Sequence, residues 1–182
     1  MLFLLLSLAD TEEKKDIISR IYEECYPSLL RTALSILNNK HNAEDAVQST
    51  MLRIVKNMDK YDFSDFEKVK ILLYISVRNT ALNTYNSLRN SKETDLPDVP
   101  EAYGSVSADA FELAMNDLLA ETIYKAFDAL DQKYRDVCIL RFYHGLKERE
   151  IAELLQIPQK TVSTRIARGR EALRNSLKEK VK

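Results

Sequence analysis

The chain has 182 residues, with 3 Gly, 4 Pro, 45% hydrophobic and 30% charged side chains. That length allows one medium domain or two small ones, and the composition excludes collagen-like and disordered classes in favour of a helix-rich soluble protein. Cys25 and Cys138 lie far apart, which excludes a disulfide framework and a thiolate zinc site and predicts two small core residues in a reducing cytoplasm. A net charge of −1 conceals an asymmetry: residues 1–126 hold 14 Lys and Arg against 20 Asp and Glu, and residues 127–182 hold 13 against 8. A basic end behind an acidic front points to a polyanion partner for the C-terminal part alone.

Met1 to Ala9 is apolar but far shorter than the ~20 residues needed to cross a bilayer. No Lys or Arg precedes it, so a cleaved signal is not expected, and the segment is read as packing on the first domain. Three capping patterns follow, Asp10-x-x-Glu13, Asn42-x-x-Asp45 and Ser64-x-x-Glu67. They predict helices over roughly 11–37 (with a break at Pro27), 43–58 and 65–90. Ser91 to Asp109, with Pro97, Pro100 and Gly104, reads as a linker. Beyond it the apolar spacing predicts helices over about 110–129, 132–143, 147–155 and 159–178, with Asp131 as an N-cap and Pro158 at the start of the last. No stretch alternates long enough to be a strand. The expected class is therefore all-α: two small helical domains, 1–90 and 110–182, joined by a flexible linker over 91–109.

Residues 147–174 have the offsets of a helix-turn-helix: Ala152 lets two helices cross closely and Val162 fills the angle between them. Val162, Ile166, Gly169, Leu173 and Leu177 share one face of the last helix. The N-terminal part of such a helix enters the major groove. Gln159, Lys160, Ser163 and Thr164 are the candidate base contacts, and Arg165, Arg168 and Arg170 the candidate phosphate contacts. Gln156 stands where this turn often has Gly, and αL backbone there costs a non-Gly residue roughly 1–2 kcal/mol.

The first block carries two further faces. Opposite Val47, Met51, Ile54 and Met58 lie Asp45, Gln48, Ser49, Leu52 and Lys56, a polar face with Leu52 as its exposed apolar centre. In the next helix Asn79, Asn83, Asn86 and Asn90 form one stripe of poor helix formers. Tyr61, Phe63 and Phe66 precede it; aromatics beside amides suit stacking of an unpaired base, although Phe63 and Phe66 serve equally well as core plugs.

With these residues in place, the chain resembles the extracytoplasmic-function (ECF) sigma factors of the sigma-70 family. AEDAVQSTMLRI (Ala43–Ile54) is similar to the region 2 helix that docks on polymerase, with Asp45, Gln48, Leu52 and Arg53 at its characteristic positions. LLYISVRNTALN (Leu72–Asn83) resembles the promoter-facing helix that follows, with Tyr74, Arg78, Asn79 and Asn83, and residues 130–173 resemble region 4. Ser49, Met51, Leu72 and Ser163 depart from the usual residues. The resemblance implies a factor without enzyme activity, cofactor or metal, which guides core RNA polymerase to promoter DNA. The first domain would engage the −10 element, with Tyr61, Phe63, Arg78, Asn79 and Asn83 at the DNA, and the second the −35 element. It also implies an anti-sigma factor as a sequestering partner, a cytoplasmic location, no small-molecule substrate and no membrane insertion.

Two other classes stay open on the residues alone. A helix-turn-helix regulator acting without polymerase explains the tail but leaves the Asp45–Gln48–Leu52 face idle. A helical adaptor would make the basic helix merely a solvated one. An enzyme is least expected, because no Gly-rich phosphate loop, metal-ligand cluster or nucleophile–base pair is visible.

Overall fold

In the computed structural model, residues 1–91 and 125–180 are described. The chain divides into two compact units, Met1–Tyr103 and Gly104–Lys182. The described residues are helical with no strand, as the sequence patterning predicts. The linker expected over 91–109, from residue 92, and most of the helix expected over 110–129 lie outside the described residues; residues 125–128 are helical.

The first unit contains α1 (Leu2–Leu6), α2 (Glu12–Leu37), α3 (Lys40–Lys56), a 3₁₀ turn (Met58–Lys60) and α4 (Phe66–Ser91). All three predicted starts move by one to three residues, because a neighbouring side chain makes the cap. Thr11 accepts from Lys14 N at 3.2 Å, Asn39 from Asn42 N at 3.0 Å, and Asp65 from Glu67 N at 3.0 Å. Asn38 ends α2 in the left-handed region (φ 46°, ψ 28°) and Asn39 begins α3, so two adjacent amides make the whole turn; Asn tolerates that backbone better than most residues.

The break predicted at Pro27 is absent: α2 runs through it. Pro27 and Glu23, whose carbonyl loses its N–H partner, are both exposed, and Ser28 Oγ bonds back to Cys25 O at 2.7 Å. Water can serve a solvent-side carbonyl, so the lost bond does not interrupt the helix.

Helices α2, α3 and α4 pack against one another. Their core includes Ile18, Ile21, Cys25, Leu29 and Ala33 of α2, and Val47, Met51 and Ile54 of α3. In α4 every residue from Ile71 to Val77 is buried, the pattern of a helix enclosed on all sides. The apolar start packs on α2 and α3 with Leu5 fully buried, while Phe3 remains 86% exposed. Lys14 ties this end down, 2.9 Å from both Asp10 and Asp59. Among the described residues no helix is long and apolar enough to cross a membrane.

The second unit contains α5 (Gln132–Cys138), a π-helical turn (Ile139–Tyr143), α6 (Glu148–Leu155) and α7 (Gln159–Lys180). Asp131 caps α5, accepting from Lys133 N at 3.0 Å. The helix predicted over 132–143 changes character after Cys138, and the wider turn closes with His144 N–H on Ile139 O at 3.2 Å. Val137, Cys138, Ile139 and Leu140 are all buried, whereas Phe142 is 50% exposed.

Both α5 and α6 pack on α7. Val162, Ile166, Gly169 and Leu173 face the interior, on the face the sequence assigns to them. Gly169 is required by contact: a Cβ there would overlap Cys138 Sγ.

Two predictions follow from this packing. Gly→Ala inside a helix normally stabilises by about 1 kcal/mol, but Gly169→Ala overpacks the α5–α7 contact and should destabilise by roughly 1–3 kcal/mol. In a Cys138→Ala background the overlap is gone and the same change should become stabilising; urea unfolding of the four proteins measures the sign. Burial pushes both thiols up to about 11. The unfolded thiols ionise first, so their contribution is full below pH 9 and is lost as pH rises towards 11, on the order of 2–3 kcal/mol per thiol. Unfolding midpoints across that range should fall more steeply for the natural chain than for a Cys25→Ala, Cys138→Ala variant.

Candidate nucleic-acid interface and partner face

The turn between α6 and α7 sets the direction in which α7 leaves. Gln156 takes the left-handed conformation (φ 54°, ψ 45°). The N–H of Gln156 caps Ala152 O, and the N–H of Ile157 reaches the same carbonyl at 3.2 Å. The turn therefore has the geometry that a Gly would provide, with a Gln carrying the strain.

Along α7, Gln159, Lys160, Thr164, Arg168 and Arg170 are exposed, and Arg165 is half-buried. Ser163 is different. It is half-buried and its hydroxyl lies against the Glu148 carboxylate at the start of α6, and 3.1 Å from Gln159 O. A hydroxyl held by a carboxylate is less free to meet a base edge than the sequence reading supposes. Thr164 donates to Lys160 O at 2.9 Å and stays exposed.

The structure adds residues that the helix wheel omits. A hollow of about 510 Å³ lies between α5 and α7, lined by Lys133, Lys160, Arg165 and Arg168 together with Tyr134 and Thr164. Four cations surround it. Arg168 Nη1 stands 3.4 Å from Tyr134 Oη, and Lys133 lies 5.0 Å from the Tyr134 ring centre and 2.8 Å from Asp131. Burial alone would raise the Asp131 carboxyl, but hydrogen bonds from Lys133 and the charges of Lys133 and Arg165 outweigh it and hold it below the ordinary value. Lys133 and Tyr134 are remote in sequence from α7 and only the α5–α7 contact brings them there.

On α3, Asp45 is exposed, with His41 Nε2 3.7 Å away, and Ser49 is exposed beside a half-buried Gln48. Leu52 is half-buried rather than exposed. Arg53 leaves this face altogether and bonds to Thr50 and Thr80. Ahead of α4, Tyr61 and Phe63 are half-buried in an edge-to-face pair 6.4 Å apart. Phe66 is held between cations, Arg20 at 3.8 Å and Lys70 at 5.1 Å from its ring centre.

The asparagine stripe is not uniform. Asn86 and Asn90 are exposed and Asn83 and Arg78 half-buried, but Asn79 is only 8% exposed and donates its amide to Ile75 O at 2.9 Å. The enclosure of α4 that begins at Ile71 extends to Ala81 on this side, which turns Asn79 inward.

Two family models match the chain: Sigma-70 region 2 over residues 21–91, and Sigma-70, region 4 over residues 120–173. An ECF RNA polymerase sigma factor, SigW of Bacillus subtilis (strain 168), is 35% identical over 170 residues, covering 88% of this chain and 84% of the relative. The chain belongs to the sigma-70 family as an ECF sigma factor. The factor is also 29% identical over 150 residues to SigE of Mycolicibacterium smegmatis (strain ATCC 700084 / mc(2)155), covering 81% of the chain and 56% of that relative. Among solved structures, the sigma factor RpoE in complex with the anti-sigma factor NepR from Bartonella quintana matches at 22% identity and a TM-score of 0.37. The match covers 88% of this chain and 96% of that one. The factor thus directs core RNA polymerase to promoters, and its two matched regions fall in the two compact units.

Gln156 gives a direct test of the turn. Relief of αL strain, roughly 1–2 kcal/mol, exceeds the added chain entropy of Gly, roughly 0.5–1 kcal/mol. Gln156→Gly should therefore raise the urea midpoint and leave the preferred upstream sequence unchanged in a promoter-selection assay.

Proposed function

We propose that α7 reads the −35 element through Gln159, Lys160 and Thr164, while Arg165, Arg168 and Arg170 hold phosphates. Lys133 belongs with the phosphate group, and Ser163 acts through its bond to Glu148 rather than at a base. The observation that carries this is the four-cation hollow on the exposed flank of α7, since phosphate contacts orient a protein on DNA and base contacts select sequence.

In the first unit, Asp45, Gln48 and Leu52 form the docking face for core polymerase, an apolar side chain inside a polar rim, the usual arrangement of a binding hot spot. Tyr61, Phe63, Arg78 and Asn83 face the −10 element, where an unpaired base can stack on an aromatic ring. Asn79, turned inward onto Ile75 O, is not among the residues facing DNA. The factor works by binding and positioning rather than by catalysis, in the cytoplasm with polymerase. Residues 1–90 and 110–182 divide the two promoter elements, and their joining on one chain raises the effective concentration for the second contact. Both faces are also open to an anti-sigma factor when polymerase is absent.

The test is run-off transcription with core polymerase on genomic fragments. Leu52→Asp should weaken core binding by about thirtyfold or more, the ~2 kcal/mol of a hot spot, with helicity unchanged by circular dichroism. Lys133→Ala and Arg165→Ala should each weaken all upstream sequences alike and reduce the salt slope by about one phosphate contact. A re-ranking of preferred sequences by either variant would show a base contact instead.

A further inference from the structure

Three polar side chains, Thr50, Arg53 and Thr80, meet between α3 and α4. Thr50 is fully buried and Thr80 6% exposed, and their Oγ1 atoms lie 2.9 Å apart. Each is also near a carbonyl of its own helix, Thr50 at 2.8 Å from Ala46 O and Thr80 at 2.9 Å from Ser76 O. Arg53 joins them, donating through Nη2 to Thr80 Oγ1 at 2.9 Å and to Thr50 Oγ1 at 3.3 Å.

The remaining donors of this guanidinium are poorly served. Its Nε and Nη1 are buried and have no hydrogen-bond partner among the described residues. Desolvation pushes its pKa below the ordinary arginine value, with only Tyr61 opposing. A buried donor without a partner is unfavourable. Taking charge out of water is itself costly, and Arg53 has no carboxylate partner among the ion pairs of the described residues to offset that cost. Arg53 is half-buried as a whole, and its two unserved donors make it a costly side chain with which to fill this seam. Its placement does suggest a role: Leu52, the residue before it, belongs to the docking face, and Thr80, which it holds, lies between Asn79 and Asn83.

We propose that Arg53 is a positioning residue for promoter engagement: through Thr80 it sets the rotation and height of the Asn79–Asn83 turn of α4 against α3, and it makes no contact of its own with polymerase. The inference rests on the reading that Asn83 faces promoter DNA. Thr50 completes the link by fixing Thr80 from the α3 side. Arginine suits the task because one Nη2 reaches two hydroxyls on different helices.

The experiment uses full-length holoenzyme carrying Arg53→Met, Arg53→Lys, Thr80→Val or Asn83→Ala, on a promoter that the natural factor opens. Urea unfolding, core affinity and permanganate reactivity of unpaired thymines are measured for each. Arg53→Met should keep its unfolding midpoint or raise it, bind core within about threefold of the natural factor, and lose opening by about tenfold. Thr80→Val should behave in the same way, and Arg53→Lys, which retains a donor, should recover part of the opening. Normal opening by Arg53→Met while Asn83→Ala fails to open would overturn the inference and leave the reading of Asn83 intact. A tenfold loss of core affinity in Arg53→Met would overturn it by making Arg53 a docking contact. Normal opening by Asn83→Ala would overturn the reading and the inference together. Should Arg53→Met not fold, Thr80→Val and Arg53→Lys decide between the same outcomes.

Discussion

An amphipathic helix has one apolar stripe, and a small unit has too little interior to leave any of that stripe unused. The partition of faces follows from this limit. In α3 the core takes Ala43, Ala46, Val47, Thr50, Met51 and Ile54, so only the side bearing Asp45, Gln48 and Ser49 remains for a partner. In α4 the core takes every residue from Ile71 to Val77. Beyond this stretch Asn83 is half-buried and Asn86 and Asn90 are exposed.

The same limit governs the second unit, where it acts through contact distance. α7 lies so close to α5 that position 169 has no room for a Cβ beside Cys138. That approach sets Lys133 and Tyr134 next to Arg165 and Arg168 and turns a basic stripe into a concave basic surface. At the other end, the strained backbone of Gln156 orients α7 as it leaves the turn. The basic surface of α7 thus depends on two backbone demands, a close approach at Gly169 and a left-handed residue at Gln156.

Polar side chains that turn inward carry a different role from those that face out. Asn79, Ser163 and Arg53 each bond to a neighbouring carbonyl, carboxylate or hydroxyl. Of the three, Asn79 is 8% exposed, and Ser163 and Arg53 are half-buried. Inward polar groups add directional bonds to apolar contacts that are themselves non-directional, so they define how the outward groups are held. Two helices joined by such a link, as α3 and α4 are through Arg53 and Thr80, are less free to shift past each other.

The sequence by itself determined the helical class, the division into two blocks and the buried face of α7, because these rest on period and local chemistry, and the resemblance of its motifs pointed to the family. Apolar spacing repeats along the chain, and the motif residues lie within a turn or two of one another. Helix starts were displaced by a few residues because several adjacent Thr, Asn, Asp and Ser side chains can cap, and geometry selects among them. The direction of Asn79, the half-burial of Leu52, the bond between Ser163 and Glu148 and the link from Arg53 to Thr80 were settled by tertiary structure. So was the addition of Lys133 and Tyr134 to the basic surface. Three of these bonds join residues distant along the chain, 15 residues from Glu148 to Ser163, 27 from Arg53 to Thr80 and 34 from Tyr134 to Arg168. A pattern read along one helix assigns a residue to a face, but what that face meets is decided only when another helix packs against it.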